Sequence, residues 1–570
     1  MAFRFTFASA LPIVLSFGSA LTYGQETPAK PVDPTAGYLQ FHEFVSRAKK
    51  LTGTPRVAIE TIGTTDQQRE ILAIVVGDDV PRPGIAIVGA VHGPHLAAGE
   101  IVLRMAERAA NATDDATKAL LAKHTLYFIP FPTPDASVKA WNMPRREVAG
   151  NGRQTDDDRD GTAGEDPPED LNGDGLITMM RVEDEAGNYI PHPDEPRILI
   201  EADPHKKEKG RYKLLIEGRD NDGDEQWNED AGDGVEFNRS FPFRYEPFQK
   251  GTSSHSATET ETRVLLDYLF DRRNVAVVMT VSPNDNLSIT WKPNGDRERQ
   301  AYKTTILAAD APYVEKLAEQ FRTILDVKEP TESPTDGGNF VEWAYYHYGR
   351  LSLASRGWAI PKTAPKQDPP PAGDAPKPDA NKPKPDDRAA AERNALLWFA
   401  QEGINGFVDW RVVDHPDFPG KKVEVGGFVP LARLNPPAAL LDGLGEKHFT
   451  FLTKVLESFP SIRMAETKVE PLAGGVYRVT ATLRNDGYLP TMPAMGRTNR
   501  EAFPLWAEIQ LPAGAKFLTG TRKRQVAPLE GISGTATLTW LVQSPAGPAT
   551  IKVTAPAVGT VEKKIELPAP

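Results

Sequence analysis

A chain of 570 residues is longer than one hydrophobic core serves, so two or three domains are expected. With 39% hydrophobic and 25% charged residues and a mean hydropathy of -0.42, its composition fits a soluble globular protein better than a membrane-embedded or disordered one. A formal charge of -12 with no basic stripe opposes a phosphate backbone, which leaves nucleic-acid binding without electrostatic support.

Residues 1–24 place Arg4 before an apolar stretch that ends in small residues, the pattern of a secretory signal peptide. Ser9, Ser16 and Ser19 interrupt that stretch and no stop-transfer pattern follows, so no transmembrane segment is expected once it is removed. The chain has no cysteine, so any transition metal must be held by His and carboxylates. The expected location is secreted or periplasmic, in a bacterium.

From Tyr38 to Ile360, short apolar runs alternate with amphipathic stretches, which predicts an α/β domain with a mixed, mostly parallel sheet flanked by helices. Strands are predicted at Ile85–Val91, Thr125–Phe131, Val275–Val281 and Leu351–Ser355, and a helix at Leu96–Ala110. An insert over 155–233 is acidic and Gly-rich, and its 156–174 portion carries nine acids against one base. It also looks poor in local apolar residues, so something other than a core should order it. Residues 361–387 hold nine prolines and read as an extended linker. Helical patterning resumes at Arg388–Gly403 and again up to Ser458, with irregular or strand structure over Phe407–Pro430, so the first domain spans 38–460. The tail, 463–570, alternates in short runs separated by Gly, Pro and Asn, which predicts an accessory all-β sandwich.

The first chemical feature is His92-Gly93-Pro94-His95, between a predicted strand and a predicted helix. Ligands sit at the C-terminal ends of strands in such sheets, and two histidines three apart can face one metal ion. The alternative is one histidine capping the helix and the other solvated.

The stretch VGAVHGPH resembles the zinc carboxypeptidase motif in which a His and a Glu three residues later bind the metal. The resemblance implies zinc, with His92 on the His and His95 on the Glu. Further matches follow in order. Thr133-Pro134-Asp135-Ala136 resembles the family's Asn-Pro-Asp-Gly turn. Residues 140–146 (AWNMPRR) occupy the region of the oxyanion-stabilising arginine, with Arg145 and Arg146 both available. Residues 234–242 (GVEFNRSFP) resemble the segment whose Asn-Arg pair clasps the substrate carboxylate, here Asn238 and Arg239. A planar guanidinium suits that task. Residues 259–263 (ETETR) resemble the helix start that precedes the third-ligand strand.

The same alignment leaves gaps. Thr280 lies where the third zinc ligand, a His, is expected, and Ser355 or Arg356 lies where the general-base Glu is expected. A catalytic zinc has three protein ligands and an open position, and the peptidase reaction needs a base to take the proton of water. The resemblance therefore implies the fold more firmly than the activity, unless Glu100, His255 or His347 converges on the site.

A second constellation lies in the insert. Asp156, Asp158 and Asp160 alternate before Gly161, Asp170, Asn172 and Asp174 surround Gly173, and Asp220, Asp222 and Asp224 surround Gly223. Glu165-Asp166 and Glu229-Asp230 follow the first and third groups at equal offsets. Alternating Asp or Asn side chains in a tight loop converge on one point, as calcium requires. An acidic solvated loop is the alternative.

Two functions follow. One is an exported metallocarboxypeptidase acting on the C-terminal carboxylate of peptides or peptidoglycan-type stems. The other is a catalytically inactive peptide- or glycan-binding envelope protein.

Overall fold

Short runs of Val, Ile and Leu between turns build the central sheet of the chain. In the computed structural model, which describes residues 30–78, 80–157, 159–228, 231–328, 333–334, 336–363 and 388–569, six strands form this sheet. Their order across it is Val57–Thr64, Glu70–Val76, Thr125–Ile129, Gly84–Val88, Val275–Val281 and Leu351–Ser355. The last four pair in parallel and the first two attach antiparallel, so the sheet is mixed. The strands at 84–88, 125–129 and 351–355 are buried at every position, as strands covered on both faces are.

Helix Leu96–Ala110 packs on the sheet and against helix Leu441–Glu457, which also touches helix Ala311–Leu325. Phe451, Leu452, Val455 and Leu456 share one apolar cluster with Ile87, Val281 and Leu353. Chain that follows the proline-rich stretch is therefore part of the same core. Residues 1–24 and 364–387 lie outside the described residues. Among the described residues no helix is long and apolar enough to cross a membrane.

The acidic insert corrects one expectation. It contributes strands Met179–Glu183, Tyr189–Pro191, Leu199–Glu201 and Tyr212–Ile216 to a second, antiparallel sheet, completed by Phe407–Val413 and Val423–Phe428. Met180, Val182, Phe418, Val423 and Val425 form an apolar cluster there, flanked by Leu171, Leu215 and Trp227. The insert does have a core, half of which comes from chain far along the sequence. Alternation in Met179–Glu183 is what lets Met180 and Val182 share one face.

The tail forms two four-stranded antiparallel sheets around one core, in which Tyr477, Val479 and Trp540 meet Ala507, Ile509 and Ile551. It is a β-sandwich. Its loop 494–503 grips the first domain. The buried carboxylate of Asp310 accepts from the backbone N–H groups of Ala494 and Met495 and from the Tyr345 hydroxyl. Asn499 donates to the carbonyls of Tyr346 and His347, and Arg350 donates to that of Glu501.

Candidate functional site

Strand Gly84–Val88 runs directly into the turn that carries His92 and His95. That turn closes against the short helix Pro134–Ser137, since a Cβ on Gly93 would stand 2.4 Å from the Ala136 Cβ. His95 is the N-cap of helix Leu96–Ala110, is 0% exposed, and has no hydrogen-bond partner on either ring nitrogen. Burial drives its pKa down to about 3, helped by the nearby charges of His92 and Arg356. Burial also lowers His92, against the opposing pull of the Glu147 carboxylate. Both imidazoles are neutral near pH 7.

Strand register decides what stands beside them. Thr280 pairs with Val88 on one side and Ala354 on the other, while Ser355 pairs with Val281. Successive side chains alternate between faces. Ser352 donates to the Val341 carbonyl, so Ser352, Ala354 and Thr280 belong to the face of helix Phe340–Tyr346. Ser355 turns to the other face, where its Oγ lies 3.1 Å from Nε2 of His448 in helix Leu441–Glu457, and His448 Nδ1 lies 2.8 Å from the Leu444 carbonyl. With Ser355 or Arg356 as the two sequence candidates for the base position, the structure sends Ser355 into the helix layer. It leaves Ala354 on the face of Thr280 and places Arg356 in electrostatic reach of His95. Ala354 had no signal in the sequence, because a face can be assigned only once the register is known.

None of the expected substitutes joins the two histidines. Glu100 accepts from the Leu39 backbone N–H at 2.7 Å and pairs with Arg104. His255 is exposed beside Ser254, and His347 lies edge-on to Phe243. Among the described residues, donor atoms of three or more His, Asp or Glu come within 4.8 Å of one another only at Asp220, Asp222 and Asp224. Two imidazoles, a hydroxyl at 280 and a guanidinium near His95 do not make the donor set of a catalytic zinc, and the Glu147 carboxylate that acts on His92 does not gather with both rings within 4.8 Å.

The carboxylate-clasp candidates sit on the turn Phe237–Arg239. Asn238 donates to Asn284 Oδ1 at 2.6 Å and accepts from the Phe340 N–H at 3.1 Å. Arg239 Nη1 donates to the Lys250 carbonyl at 2.5 Å, while its buried Nε has no partner. Burial pushes the neighbouring Glu236 up to about 7, with Arg239 opposing. Asn284 precedes Asp285, whose Oδ2 accepts from the Arg356 N–H at 3.0 Å, so the turn is tied to the histidine site through two residues. Arg145 is committed elsewhere, donating to Asp33 at 2.6 Å and Thr35 at 2.9 Å, and Arg146 pairs with Asp233.

In the acidic insert, carboxylates fold their own loops. Asp156 accepts from the N–H groups of Arg159 and Gly161, Asp170 from those of Gly173 and Gly175, and Asp220 from those of Gly223 and Glu225. Asn172 and Asp174 take backbone N–H groups in the same way, as do Asp222, Asp224 and Asp160. Asp158, Glu229 and Asp230 lie outside the described residues. Two acids tie the loops together: buried Asp166, from the pair that follows the first loop, accepts from the Asn221 and Asn228 N–H groups, and Glu217, which no motif singled out, accepts from those of Leu171 and Thr178 at 2.8 Å each. Burial pushes Glu217 up to about 7.

An α/β sheet whose parallel strand Gly84–Val88 leads into a turn with two histidines defines the class, and comparison with known proteins gives the family. The zinc carboxypeptidase family profile matches residues 48–358, and the chain belongs to that family. A domain of unknown function matches residues 461–566. Thrombin-activatable fibrinolysis inhibitor is 10% identical with a TM-score of 0.38, covering 74% of this chain and 73% of its own. Carboxypeptidase A from Helicoverpa armigera is 12% identical with a TM-score of 0.33, covering 56% and 63%. A putative carboxypeptidase from Burkholderia mallei is 13% identical with a TM-score of 0.29, covering 55% and 57%. No curated protein matches the chain. The family acts on peptides and its metal is zinc.

Proposed function

We propose that this chain is an exported member of its family that binds peptide ends and has lost hydrolysis. One observation carries the reading: the residues at the ends of strands Val275–Val281 and Leu351–Ser355 are Thr280, Ala354, Ser355 and Arg356, with no carboxylate among them to take a proton from water. Loss of a general base alone lowers turnover by about 10²–10⁴-fold. What supports binding is Arg239, whose buried Nε is a donor without an acceptor, while Asn238 next to it is held by Asn284 and the Phe340 N–H. The ligand class is a peptide or peptidoglycan-type stem with a free C-terminal carboxylate. Arg145 is left out of the proposed contacts, since Asp33 occupies it.

Fluorescence anisotropy on a mixed peptide pool, run as free acids and as amides, tests the reading. Amidation and Arg239→Ala should each weaken binding by about 10- to 100-fold, the range of one hydrogen bond to a charged group. C-terminal residues should not be released above a buffer control, with or without added zinc. Chelator-sensitive release that vanishes in His92→Ala would overturn the proposal.

Export rests on the leader-like residues 1–24, and intact-mass analysis of protein recovered from the cell exterior tests it. The proposal also includes calcium at the insert, supported at Asp220, Asp222 and Asp224 by the approach of their carboxylates and by the spacing shared with the other two loops.

A further inference from the structure

We infer that the cavity enclosed by residues 32–38, helix Ala390–Glu402 and loop 432–438 is a binding site for one uncharged aromatic ring, carried as a side chain by the peptide whose end this protein holds. The identity of the ring's carrier rests on the peptide-end reading, and the cavity itself does not.

Two apolar clusters meet there without closing on each other. One supplies Trp398, Phe399 and Ala432, the other Tyr38 and Ala438, and a cavity of about 190 Å³ lies between them. Pro34, Pro436 and Pro437 form part of its wall. Their fixed φ angles keep both backbone segments from collapsing inward, while alanines at 36, 432 and 438 leave the space unfilled. Protein interiors are otherwise close-packed, and the lining of a void forfeits dispersion contacts that a guest restores. An apolar cavity of about 150 Å³ is enough to hold benzene.

The wall selects the guest. Tyr38 donates to the Pro436 carbonyl at 2.6 Å, and Asn435 accepts from the Ala97 N–H at 3.0 Å and donates to the Pro94 carbonyl at 2.9 Å. Asp33, the one charged residue among those described in the wall, accepts from Arg145 at 2.6 Å and from the Thr35 hydroxyl at 2.7 Å. A charged guest therefore meets no spare counter-ion, whereas a ring meets Tyr38, Trp398 and Phe399, and aromatic pairs attract at centroid separations of about 4.5–7 Å.

The cavity also adjoins the His92–His95 turn. Asn435 holds Pro94 and Ala97, on either side of His95, and Leu96 and Ala97 share an apolar cluster with Tyr38. Ala36 and Pro437 are exposed and mark its mouth. A peptide that runs from Arg239 over this turn brings a side chain to that mouth.

The test uses the full chain with p-cresol, the tyrosine side chain by itself, as the probe. Calorimetry should show saturable binding of p-cresol and none of its charged counterpart, 4-methylbenzoate. Ala432→Leu, which fills the cavity, and Ala36→Trp, which covers its mouth from an exposed position, should each weaken p-cresol by about tenfold or more. Ala36→Trp keeps the test open if the buried leucine disturbs folding. For the carrier, one tyrosine is moved through the positions before the C-terminus of a free-acid peptide. At one position the peptide should bind about tenfold tighter, compete with p-cresol, and lose that gain in Ala36→Trp. Absence of saturable p-cresol binding, or binding that survives both substitutions, overturns the site. Binding of p-cresol with no favoured tyrosine position overturns the peptide as carrier. Amidation that leaves affinity unchanged while the tyrosine preference persists ends the peptide-end reading and leaves the cavity standing, and an amidation effect without p-cresol binding does the reverse.

Discussion

In the loops around Asp170 and Asp220, carboxylates gather within a few residues of one another. At the strand ends of the central sheet stand Thr280, Ala354 and Arg356 instead, none of them a carboxylate. The two regions differ in chemistry, since oxygen-rich side chains crowd the insert loops while the turn after strand Gly84–Val88 carries two imidazoles. The insert also shows that acid density is not an alternative to a core. Its carboxylates accept from loop N–H groups while Met180, Val182 and Val425 pack behind them. The loop carboxylates and the apolar packing are therefore separate features there, and they can be removed one at a time.

The largest effect expected from such a separation is at the core. Met180→Ala, at a site 0% exposed, should destabilise the insert by about 2–5 kcal/mol, read as faster proteolysis between Thr155 and Asp233 whether or not calcium is present. A variant as resistant as the parent would mean that ions, not packing, hold the segment. Next comes calcium itself. At 100 times its Kd it should add about 2.7 kcal/mol to the insert, and Asp220→Asn with Asp222→Asn should abolish that gain. Equal cleavage rates with calcium and with chelator would remove calcium from the account.

The smallest effect is a pH dependence. Burial raises Glu217 from 4.5 to about 7 in the folded chain, so the folded state holds this proton more tightly than the unfolded one. Stability from this group is then full below about pH 4.5 and falls as pH rises towards 7, by about 1–3 kcal/mol in total. Protection factors at the Leu171 and Thr178 amides, taken relative to the base-catalysed rate of an unprotected amide, should accordingly fall from pH 5 to pH 7.5 in calcium-free buffer. Glu217→Gln should flatten the slope, although it loses one acceptor for the Thr178 N–H. A slope unchanged in that variant would assign the effect to another group.

Much of the fold was legible because its elements obey local rules. Helix Leu96–Ala110 and strands Val275–Val281 and Leu351–Ser355 lie at their predicted bounds, and the tail's alternating runs are its sandwich strands. Strands 179–183 and 212–216 were not legible. They are short, they sit among Gly and Asp, and their partners lie beyond the proline-rich stretch. At the site, His92, His95, Asn238 and Arg239 were visible as motif positions. The commitment of Arg145 to Asp33, the turn of Ser355 toward His448 and the place of Ala354 beside Thr280 depend on register and long-range contact, which one sequence does not display.

The second sheet has a consequence for how the chain comes to be folded. Its inner pairing joins Arg181 to Glu424, 243 residues apart in sequence. Chain emerging N-terminus first must hold Met180 and Val182 without their apolar partners until Val423 and Val425 arrive, and such distant pairings form slowly. Any fragment that stops at the proline-rich stretch, a natural place to cut, therefore carries an open strand edge and half a core. Such truncations should aggregate, and escape from aggregation should need chain that extends past both Phe428 and helix Leu441–Glu457, whose Phe451, Leu452 and Val455 complete the central core.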